Sequence, residues 1–380
     1  MQLSVIILNY NVRYFLELCV SSVQKAIEGL DAEIIVVDNN STDESCQMMK
    51  ERFPQVKLIE NKENTGFPKG NNIGVAQAKG EYICILNPDT VVAEDTFLKI
   101  LNSKLQTPNS KLGIIGCKLI DGTGKFLPES KRGVPTPWVA FTKIFGLYKI
   151  FPKWKVMNQY YAQQLAVNQS GKVAILVGAF MVMKRELYTD LGGFDENCFM
   201  YSDDIDLSYM ALKKGKSNFY FHETTVIHFK GESTIRDGLY MKRFREAMQF
   251  FYKKHFNQSF IFDVMMKIGA AFFSVLKMFQ GRTVSKTKPA NFIFVTEKKE
   301  NRALLKNFNV QEVFSTIDFS KNAERTEFII DLNSVSYKKA IQLMEANKNT
   351  QYTFKFLLPH ANFLIGSNSS NERGEVVFLE

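Results

Sequence analysis

The sequence predicts an α/β fold in which a mostly parallel, Rossmann-like sheet is flanked by helices. Leu3 to Leu8 is a continuous apolar run of strand length. Apolar residues then recur at the spacing of one helix face, at Leu16, Val20, Val23 and Ile27. The same alternation continues to Leu86. Strands that alternate with helices are typical of a doubly wound, largely parallel sheet.

The later elements of this half follow the same pattern. They are a strand over Glu33 to Val37, a helix over Asp43 to Arg52, a strand over Lys57 to Asn61, a helix over Lys69 to Ala78 and a strand over Tyr82 to Leu86. We expect Ser41 or Thr42 to cap the second helix, because hydroxyl side chains accept hydrogen bonds from the free amides at a helix start.

Length and composition exclude several classes of protein. The chain has 380 residues, 45% of them hydrophobic and 23% charged, which indicates a globular protein of two or three domains. Its five cysteines are scattered and include no Cys-x-x-Cys, so neither a disulfide framework nor a thiolate zinc site is expected. The N-terminus reads as a strand rather than a signal peptide, and a reducing, cytoplasmic location is expected.

The net charge of +9 is concentrated in one region. Lys242 to Pro289 holds ten Lys or Arg against two acids, and it contains the most apolar stretch of the chain, Phe260 to Phe279. At 100° per residue the polar side chains of that stretch form one narrow stripe. We expect an amphipathic helix on an anionic membrane surface at the inner face of the plasma membrane, and no nucleic acid partner. A helix packed in a protein core is the alternative.

Polar residues follow the ends of the predicted strands. They are Asn9 and Tyr10, Asp38, the stretch Asn64 to Gly66, and the stretch Asn87 to Asp89. The carboxyl edge of a parallel sheet is where ligands bind, so these side chains predict one binding crevice, although each alone reads equally well as a turn residue. The glycine-rich stretch Asn64 to Gly74 contains neither a dinucleotide fingerprint nor a P-loop. Its glycines and the Asn71 and Asn72 amides favour close approach to a nucleotide or sugar.

Two acidic sites and one histidine are candidates for chemistry. Asp89 follows a buried strand, where a carboxylate can hold Mg²⁺ or Mn²⁺ against a diphosphate, or can cap a helix after Thr90. Asp203, Asp204 and Asp206 are crowded in a way that favours a metal, a substrate hydroxyl or a raised proton affinity, with a solvated helix N-terminus as the alternative. His228 ends a strand-like run, where its imidazole would face a metal or phosphate, with a purely structural histidine as the alternative.

Seven segments in this order resemble the inverting family-2 glycosyltransferases, in particular their rhamnosyltransferase-like branch. They are SVIILNYN, VVDNNSTD, NTGFPKGNN, ILNPDT, GAFMVMKRE, GGFDENCFMYSDDIDLSYM and VIHFKGEST. The resemblance covers residues 1–235 and implies the nucleotide-diphospho-sugar transferase fold for that part of the chain.

The resemblance also implies roles for single residues. Asp204 matches the family's general base, Asp203 would contact acceptor hydroxyls, and Asp89 and His228 would bind Mg²⁺ or Mn²⁺. The implied contacts to the donor nucleotide and sugar come from Tyr10, Asp38, Asn64, Gly66, Asn71 and Asn87, and the contact to the acceptor or diphosphate comes from Arg132. One departure is that the usual Asp-x-Asp reads Asn87-Pro-Asp89 here, so its first position carries no charge.

These roles predict a metal-dependent inverting transferase of cell-surface polysaccharide assembly. It would move a sugar, rhamnose or another hexose, from a nucleotide diphosphate to a hydroxyl of a glycan acceptor carried on a polyprenyl diphosphate. A nucleotidyltransferase that makes the activated sugar is one alternative, although its basic triphosphate loop is missing near the N-terminus. A non-catalytic membrane scaffold with a transferase fold is the other.

The predicted division of the chain is a catalytic domain over 1–235, a basic amphipathic segment over 236–289 and a small α/β domain over 290–380. In the last part we expect strands over Asn291 to Thr296, Glu327 to Leu332 and Thr353 to Leu358, and helices over Lys298 to Asn307 and Ser336 to Asn347. A turn that begins at Ile365 is expected as a surface loop, with anion binding as the alternative. The sequence predicts no function for this domain.

Overall fold

The computed structural model describes residues 1–103, 111–144, 146–150, 154, 159–230, 238–256, 289–297, 310–313, 325–348, 351–368 and 374–379. Within these ranges the strands form two sheets, one of nine strands and one of six. The larger sheet comes from the first 228 residues, and the smaller sheet begins at Asn291.

The first sheet contains the strands that end at the predicted crevice. Its members are β1 (Leu3–Asn9), β2 (Ala32–Asp38), β3 (Lys57–Glu60), β4 (Tyr82–Leu86), β5 (Thr90–Val91), β6 (Leu112–Ile120), β7 (Gly171–Val173), β8 (Phe180–Lys184) and β9 (Ser217–His228). They are ordered β3-β2-β1-β4-β8-β6-β9-β5, and β7 pairs with β9. Strands β3, β2, β1 and β4 are parallel, as are β6 and β9, whereas β8 is antiparallel to both of its neighbours.

Helices connect and cover these strands. They are α1 (Arg13–Ala26), α2 (Ser45–Arg52), α3 (Gly66–Ala76), α4 (Thr96–Leu101), α5 (Pro137–Ile144), α6 (Leu147–Ile150), α7 (Arg185–Asp190), α8 (Asp203–Lys213) and α9 (Gly238–His255). The apolar face predicted for α1 is buried in the main hydrophobic cluster, where Leu16, Val20 and Val23 pack against β1 and β2 residues. The predicted α/β fold class is confirmed.

Strand register brings the polar strand ends together. In the β1 to β2 pair Asn9 lies opposite Asp38, at the end of both strands. In the β4 to β8 pair Leu86 lies opposite Phe180, so the chain that enters β8 arrives at the same edge as the segment that follows β4. The short strand β5 pairs with the end of β9 and sets His228 opposite Thr90.

Two local predictions are wrong. Helix α2 begins at Ser45 behind Glu44, and its first amide donates to Asp43 Oδ1 rather than to Ser41 or Thr42. The Ser41 hydroxyl instead accepts hydrogen bonds from Asn9 and from the backbone of Asn11. The alternative role of Asp89 as a helix cap also fails, since β5 begins at Thr90 and the next helix, α4, begins only at Thr96.

The second sheet is also built mainly of parallel strands. Its members are β10 (Asn291–Val295), β11 (Val310–Val313), β12 (Thr326–Asp331), β13 (Tyr352–Leu357), β14 (Phe363–Gly366) and β15 (Glu375–Phe378), in the order β11-β10-β12-β13-β14-β15. Helix α10 (Tyr337–Ala346) starts behind Ser336, whose hydroxyl accepts from Lys339 N. The expected turn at Ile365 is wrong for its first two residues, since they belong to β14. The helix predicted over Lys298 to Asn307 lies outside the described residues.

The two sheets share a hydrophobic cluster. It contains Phe15, Val91, Ile227 and Phe229 from the first part of the chain, together with side chains of β10, β12, β13, β14 and α10. The backbones also approach closely, because a Cβ added at Gly124 would lie 2.1 Å from the carbonyl oxygen of Met344. The C-terminal sheet is therefore packed directly against the sheet that carries the candidate site.

No helix in the described ranges is both long enough and apolar enough to cross a membrane. The stretch predicted to lie on a membrane, Phe260 to Phe279, lies outside those ranges. The boundaries at 235 and 289 stay predictions.

Candidate active site

The end of β1 and the end of β2 form the first wall of the site. Asn9 is fully buried and donates from Nδ2 to Asp38 Oδ1 at 2.7 Å, while Asp38 Oδ2 accepts from Ser41 N at 2.7 Å. Both carboxylate oxygens of Asp38 are therefore held by the protein. The neighbouring Tyr10 ring is exposed, which leaves it accessible to a ligand.

Asn39 is a functional candidate that sequence reasoning missed. Its side chain donates to Gly66 O at 3.0 Å and accepts from Asn61 and Thr65 at 2.8 and 3.0 Å. Asn39 thus ties the end of β2 to the predicted glycine-rich loop. It stands in the VVDNNSTD segment, next to Asp38, but nothing in the sequence showed which of two adjacent asparagines would turn inward.

Gly66 is required where the glycine-rich loop meets the acidic segment. Its φ is +79°, and an added Cβ would lie 2.9 Å from the Phe199 ring and backbone. Phe67 N donates to Phe199 O at 3.0 Å, and Asn64 Oδ1 accepts from Gly66 N at 3.0 Å. The contact holds the predicted donor loop against the chain that leads into α8.

The two neighbouring asparagines of α3 differ in role. Asn71 is buried and donates to Phe67 O, and its Oδ1 has no hydrogen-bond partner among the described residues. Asn72 was expected to approach a ligand, and this is wrong. Its oxygen accepts from Tyr188 and Phe194, and its nitrogen donates to Phe194 O and Glu196. Asn72 therefore anchors α3 to the loop after α7.

Asp89 and His228 face each other across the β5 to β9 pair. His228 Nε2 lies 3.3 Å from Asp89 Oδ1, and both side chains are buried. The Asn87 amide nitrogen lies 3.4 Å from the same Nε2. The two proposed metal ligands, which are 139 positions apart in the sequence, are thus adjacent in space because of the pairing of two short strands.

These two residues fit a divalent cation. Two ligand atoms at about 2.1 Å from one cation and at right angles lie roughly 3 Å apart, close to the observed separation of Nε2 and Oδ1. No cluster of three or more His, Cys, Asp or Glu suited to a metal occurs in the described part of the chain. The pair therefore matches the type of site in which substrate phosphates and water complete the coordination.

Asp203 and Asp204 form the first turn of α8 and are buried, so the solvated helix N-terminus considered for them is wrong. Asp204 Oδ2 accepts from Arg132 NH2 at 2.6 Å and from Gly178 N at 3.0 Å. The third acid, Asp206, instead binds Lys254 and His255 of α9 and has a structural role.

Arg132 reaches the site through Asp204. Its NH2 also donates to Leu176 O at 3.0 Å, and its backbone pairs with Ile175 in an isolated bridge. Burial lowers the pKa of Arg132, but the charge and hydrogen bond of Asp204, together with the charges of Tyr160 and Glu129, outweigh this, so the pKa stays above its usual value. The guanidinium expected to touch the acceptor or diphosphate is therefore a charged partner of the candidate base.

Among the described residues Asp203 has no ion-pair partner of its own, and the Arg132 charge lowers its pKa less than the other influences on it. Burial, followed by repulsion from the Asp204 carboxylate, raises the pKa of Asp203 to about 7. A buried carboxyl with a raised pKa is typical of sites of acid and base chemistry. Asp203 therefore stands out electrostatically beside the Asp204 carboxylate.

The segment that enters β8 joins the two halves of the site. Gly178 N donates to Asp204, and the next residue, Ala179, accepts from Asn87 N at 3.1 Å. An added Cβ at Gly178 would lie 3.3 Å from Asp204 Cβ, so glycine permits the close approach. One dipeptide thus bridges the carboxyl pair and the metal-ligand segment. This dipeptide opens the GAFMVMKRE segment, which was one of the seven segments that carried the resemblance in the sequence.

The half-buried Tyr160 lies beside two cationic side chains near the site, Lys143 and Arg132. Burial raises the pKa of Tyr160, but the charges of Lys143 and Arg132 outweigh it and hold the pKa below its usual value. Lys143 Nζ lies 3.6 Å from the centroid of the Tyr160 ring. Sequence reasoning missed both residues, because neither stands in a recognisable motif.

The fold and these groups together define the protein as a glycosyltransferase. Residues 4–192 match the model of the family Glycosyl transferase family 2, and the chain belongs to that family. This confirms the resemblance found in the sequence.

The chain is also similar to named proteins and to a solved structure. The chain is 26% identical over 246 residues to the N-acetylglucosaminyl-diphospho-decaprenol L-rhamnosyltransferase of Mycobacterium tuberculosis (strain CDC 1551 / Oshkosh). The aligned region covers 62% of this chain and 78% of the relative. It is 32% identical over 288 residues to the poly(ribitol-phosphate) beta-glucosyltransferase of Bacillus spizizenii, over 70% of this chain and 42% of the relative. A solved structure, GalNAc-T7 with UDP, GalNAc and Mn²⁺, is similar with a TM-score of 0.49 and 17% identity, over 66% of this chain and 48% of that chain.

The raised pKa of Asp203 predicts a pH-dependent stability difference. A carboxyl whose folded pKa lies above its unfolded value stabilises the fold at low pH and loses that contribution as pH rises through the folded pKa. As pH rises from 3.8 to about 7, the melting temperature of the wild-type protein should therefore fall relative to that of Asp203→Asn. Above that range the difference between the two melting temperatures should stay constant. Melting curves of both proteins across this range test the assignment, and parallel curves would contradict it.

Proposed function

We propose that the protein is a metal-dependent inverting glycosyltransferase that moves a sugar, with rhamnose as the leading candidate, from a nucleotide diphosphate to a hydroxyl of a glycan acceptor. The observation that carries this proposal is the Gly178–Ala179 bridge, which connects the carboxyl pair on α8 to the segment of Asn87 and Asp89. Base and metal ligand are thereby held at one edge of the sheet.

Asp204 is the proposed general base. Its Oδ2 is held by Arg132 and Gly178, while Oδ1 takes part in no hydrogen bond found among the described residues. Oδ1 accepts the proton of the acceptor hydroxyl as that oxygen bonds to the anomeric carbon. The bond from the anomeric carbon to the diphosphate oxygen breaks at the same time, and the configuration inverts.

Asp89 and His228 are the proposed ligands of Mg²⁺ or Mn²⁺. A bound cation stabilises the negative charge that develops on the departing nucleoside diphosphate. Asp89 and His228 hold their ligand atoms on the same side of the β5 to β9 pair. The proposed donor pocket uses Tyr10, Asp38, Asn64, Gly66, Asn71 and Asn87, which line the strand ends and the α3 loop.

The acceptor is proposed from the nature of the relatives. One similar enzyme acts on an N-acetylglucosaminyl-diphospho-decaprenol and another on poly(ribitol-phosphate). Both names describe cell-envelope glycans, so we infer a glycan hydroxyl on a polyprenyl diphosphate carrier, in cell-surface polysaccharide assembly.

Metal-dependent donor binding is the first test. A nucleotide sugar that binds the folded state should raise the melting temperature, and it should do so only with Mn²⁺ or Mg²⁺ present. The Asp89→Asn variant should lose the metal-dependent part of the shift, because it loses the carboxylate ligand. Thermal shift with a panel of nucleotide sugars measures both effects. Stabilisation by nucleoside triphosphates alone, with release of pyrophosphate, would favour the nucleotidyltransferase instead.

Removal of the general base should slow turnover without loss of donor affinity. Asp204→Asn is expected to lower kcat by about two to four orders of magnitude, the usual contribution of a positioned base. Donor affinity should stay nearly constant in calorimetric titration, since Asp204 serves the acceptor side.

Asp203→Asn is the matched control for this substitution. It removes a neighbouring carboxyl on the same helix turn and should reduce turnover less than Asp204→Asn. A larger loss in Asp203→Asn would transfer the base role to Asp203, whose raised pKa suits a proton acceptor near pH 7. Metal-dependent donor binding with no turnover on any acceptor would favour the non-catalytic scaffold.

We also propose that the protein binds the inner face of the plasma membrane from the cytoplasmic side. The support is the charge of Lys242 to Pro289, with eight positive charges in excess around an apolar stretch. A lipid surface would bring the enzyme to a lipid-linked acceptor.

Liposome flotation tests the membrane proposal. The full chain should float with vesicles that contain anionic lipid, and flotation should fall in a Lys267→Glu and Lys277→Glu double variant, because each added acid repels the anionic surface. Lys172→Glu reverses the charge of an exposed residue on β7 and is the control. This single substitution should leave flotation unchanged. Equal flotation with neutral and anionic vesicles, or none, would contradict the proposal.

A further inference from the structure

We propose that the C-terminal sheet positions the metal ligands through Phe356, so that this sheet is a structural part of the metal site. The inference rests on the proposed function, in which Asp89 and His228 bind the cation. It goes beyond that function because it assigns a role to residues after 290. Phe356 lies on β13 and is fully buried.

Phe229 connects the two metal ligands. It follows His228 directly, and its backbone N donates to Asp89 O at 3.0 Å. His228 is in turn paired with Thr90, the residue after Asp89. A shift of the Phe229 backbone would therefore move both ligand residues together.

The Phe229 ring is held by packing from both sheets. It is fully buried and makes edge-on contacts with Phe15 of α1 and Phe356 of β13, at centroid distances of 5.0 and 6.2 Å. The Gly122 backbone borders the pocket, since an added Cβ there would lie 3.1 Å from the Phe229 ring and 2.6 Å from Ser367 O, directly after β14. The Phe229 ring is therefore packed where the two parts of the chain meet.

The His228 ring depends on this packing more than a metal-binding histidine usually does. A metal-ligating histidine almost always donates its second ring nitrogen to an oxygen that sets the ring orientation. His228 Nδ1 is buried and has no hydrogen-bond partner within the described residues. The polar contacts of the ring are therefore made at Nε2, by Asp89 and Asn87, and the position of the ring also depends on its backbone beside the Phe229 pocket.

A second contact fixes the chain on the other side of Asp89. Both carboxylate oxygens of Glu94 accept from the first free amides of α10, Tyr337 N at 2.7 Å and Lys338 N at 2.8 Å. Lys338 Nζ also pairs with Asp95 at 2.6 Å. The segment from Asp89 to Asp95 is thus anchored to the C-terminal sheet by polar contacts as well as by ring packing.

The test compares two equally large deletions in the C-terminal sheet. Phe356→Ala removes the contact with Phe229, whereas Phe294→Ala removes an equally buried ring from a cluster of Ile329, Leu357 and Leu364 that contains no residue of the first sheet. Both variants lose core packing, so a general loss of stability should be similar. Phe356→Leu replaces Phe356→Ala should the alanine variant fail to fold.

Two readouts are measured on the full chain. Modification of metal-free protein with diethyl pyrocarbonate, mapped by mass spectrometry, should be severalfold faster at His228 in Phe356→Ala and unchanged in Phe294→Ala. Titration with Mn²⁺ alone, followed by the electron paramagnetic resonance of the free ion, should show a dissociation constant about tenfold higher in Phe356→Ala only, the low end for a lost outer contact of a metal site.

The two readouts separate this inference from the proposed function. Equal His228 modification in wild type and both variants would overturn the positioning role, whatever the metal affinity. A wild-type chain that binds no Mn²⁺ would overturn the metal role in the proposed function and the positioning of a ligand pair with it. Equal weakening of Mn²⁺ binding in both variants would also overturn the inference, since it would indicate a general loss of structure.

Discussion

The Arg132–Asp204 ion pair is the interaction on which the arrangement of the site depends. A carboxylate removed from water costs several kcal/mol unless a charge and hydrogen bonds compensate it, and here Arg132 and Gly178 N provide both. Arg132 is itself fixed to Leu176 O, just before that glycine. The pair thus draws the segment after β7 onto the start of α8. Burial and the Asp204 carboxylate raise the pKa of the neighbouring Asp203 to about 7, because the Arg132 charge compensates Asp203 only in small part.

Much of this site could be predicted from the sequence because buried parallel strands consist of nearly continuous runs of apolar residues. Such a run marks where the polar chain after it must emerge, and this alone places Asp38 and Asp89 at one edge of the sheet. Asn39 and Asn72 could not be separated from their neighbours in this way. Which amide turns inward depends on tertiary partners such as Tyr188, which lies 116 positions from Asn72. The failed Ser41 cap has the same cause, since its hydroxyl is used by the end of β1.

The contact between the two sheets was hidden for a different reason. Phe229 and Val91 read from sequence as ordinary core residues of the first sheet, and no pattern tells a side chain that packs inside its own unit from one that packs against another. The C-terminal sheet was correctly expected in outline, yet its four-residue strands β11, β14 and β15 were not predicted. Short strands acquire their pairing from the sheet around them rather than from their own sequence.

Asn87 in place of an acidic residue changes how charge is distributed in the proposed mechanism. With Asp89 as the single carboxylate of the pair and an imidazole as its partner, the protein supplies one negative charge toward a divalent cation. The donor diphosphate must supply the rest, so cation and donor each increase the affinity for the other. The neutral Asn87 amide also places no second carboxylate beside Asp89, where it would raise the proton affinity of that ligand. In the proposed mechanism, a site of this composition would therefore take up its cation together with the donor and release it together with the nucleoside diphosphate.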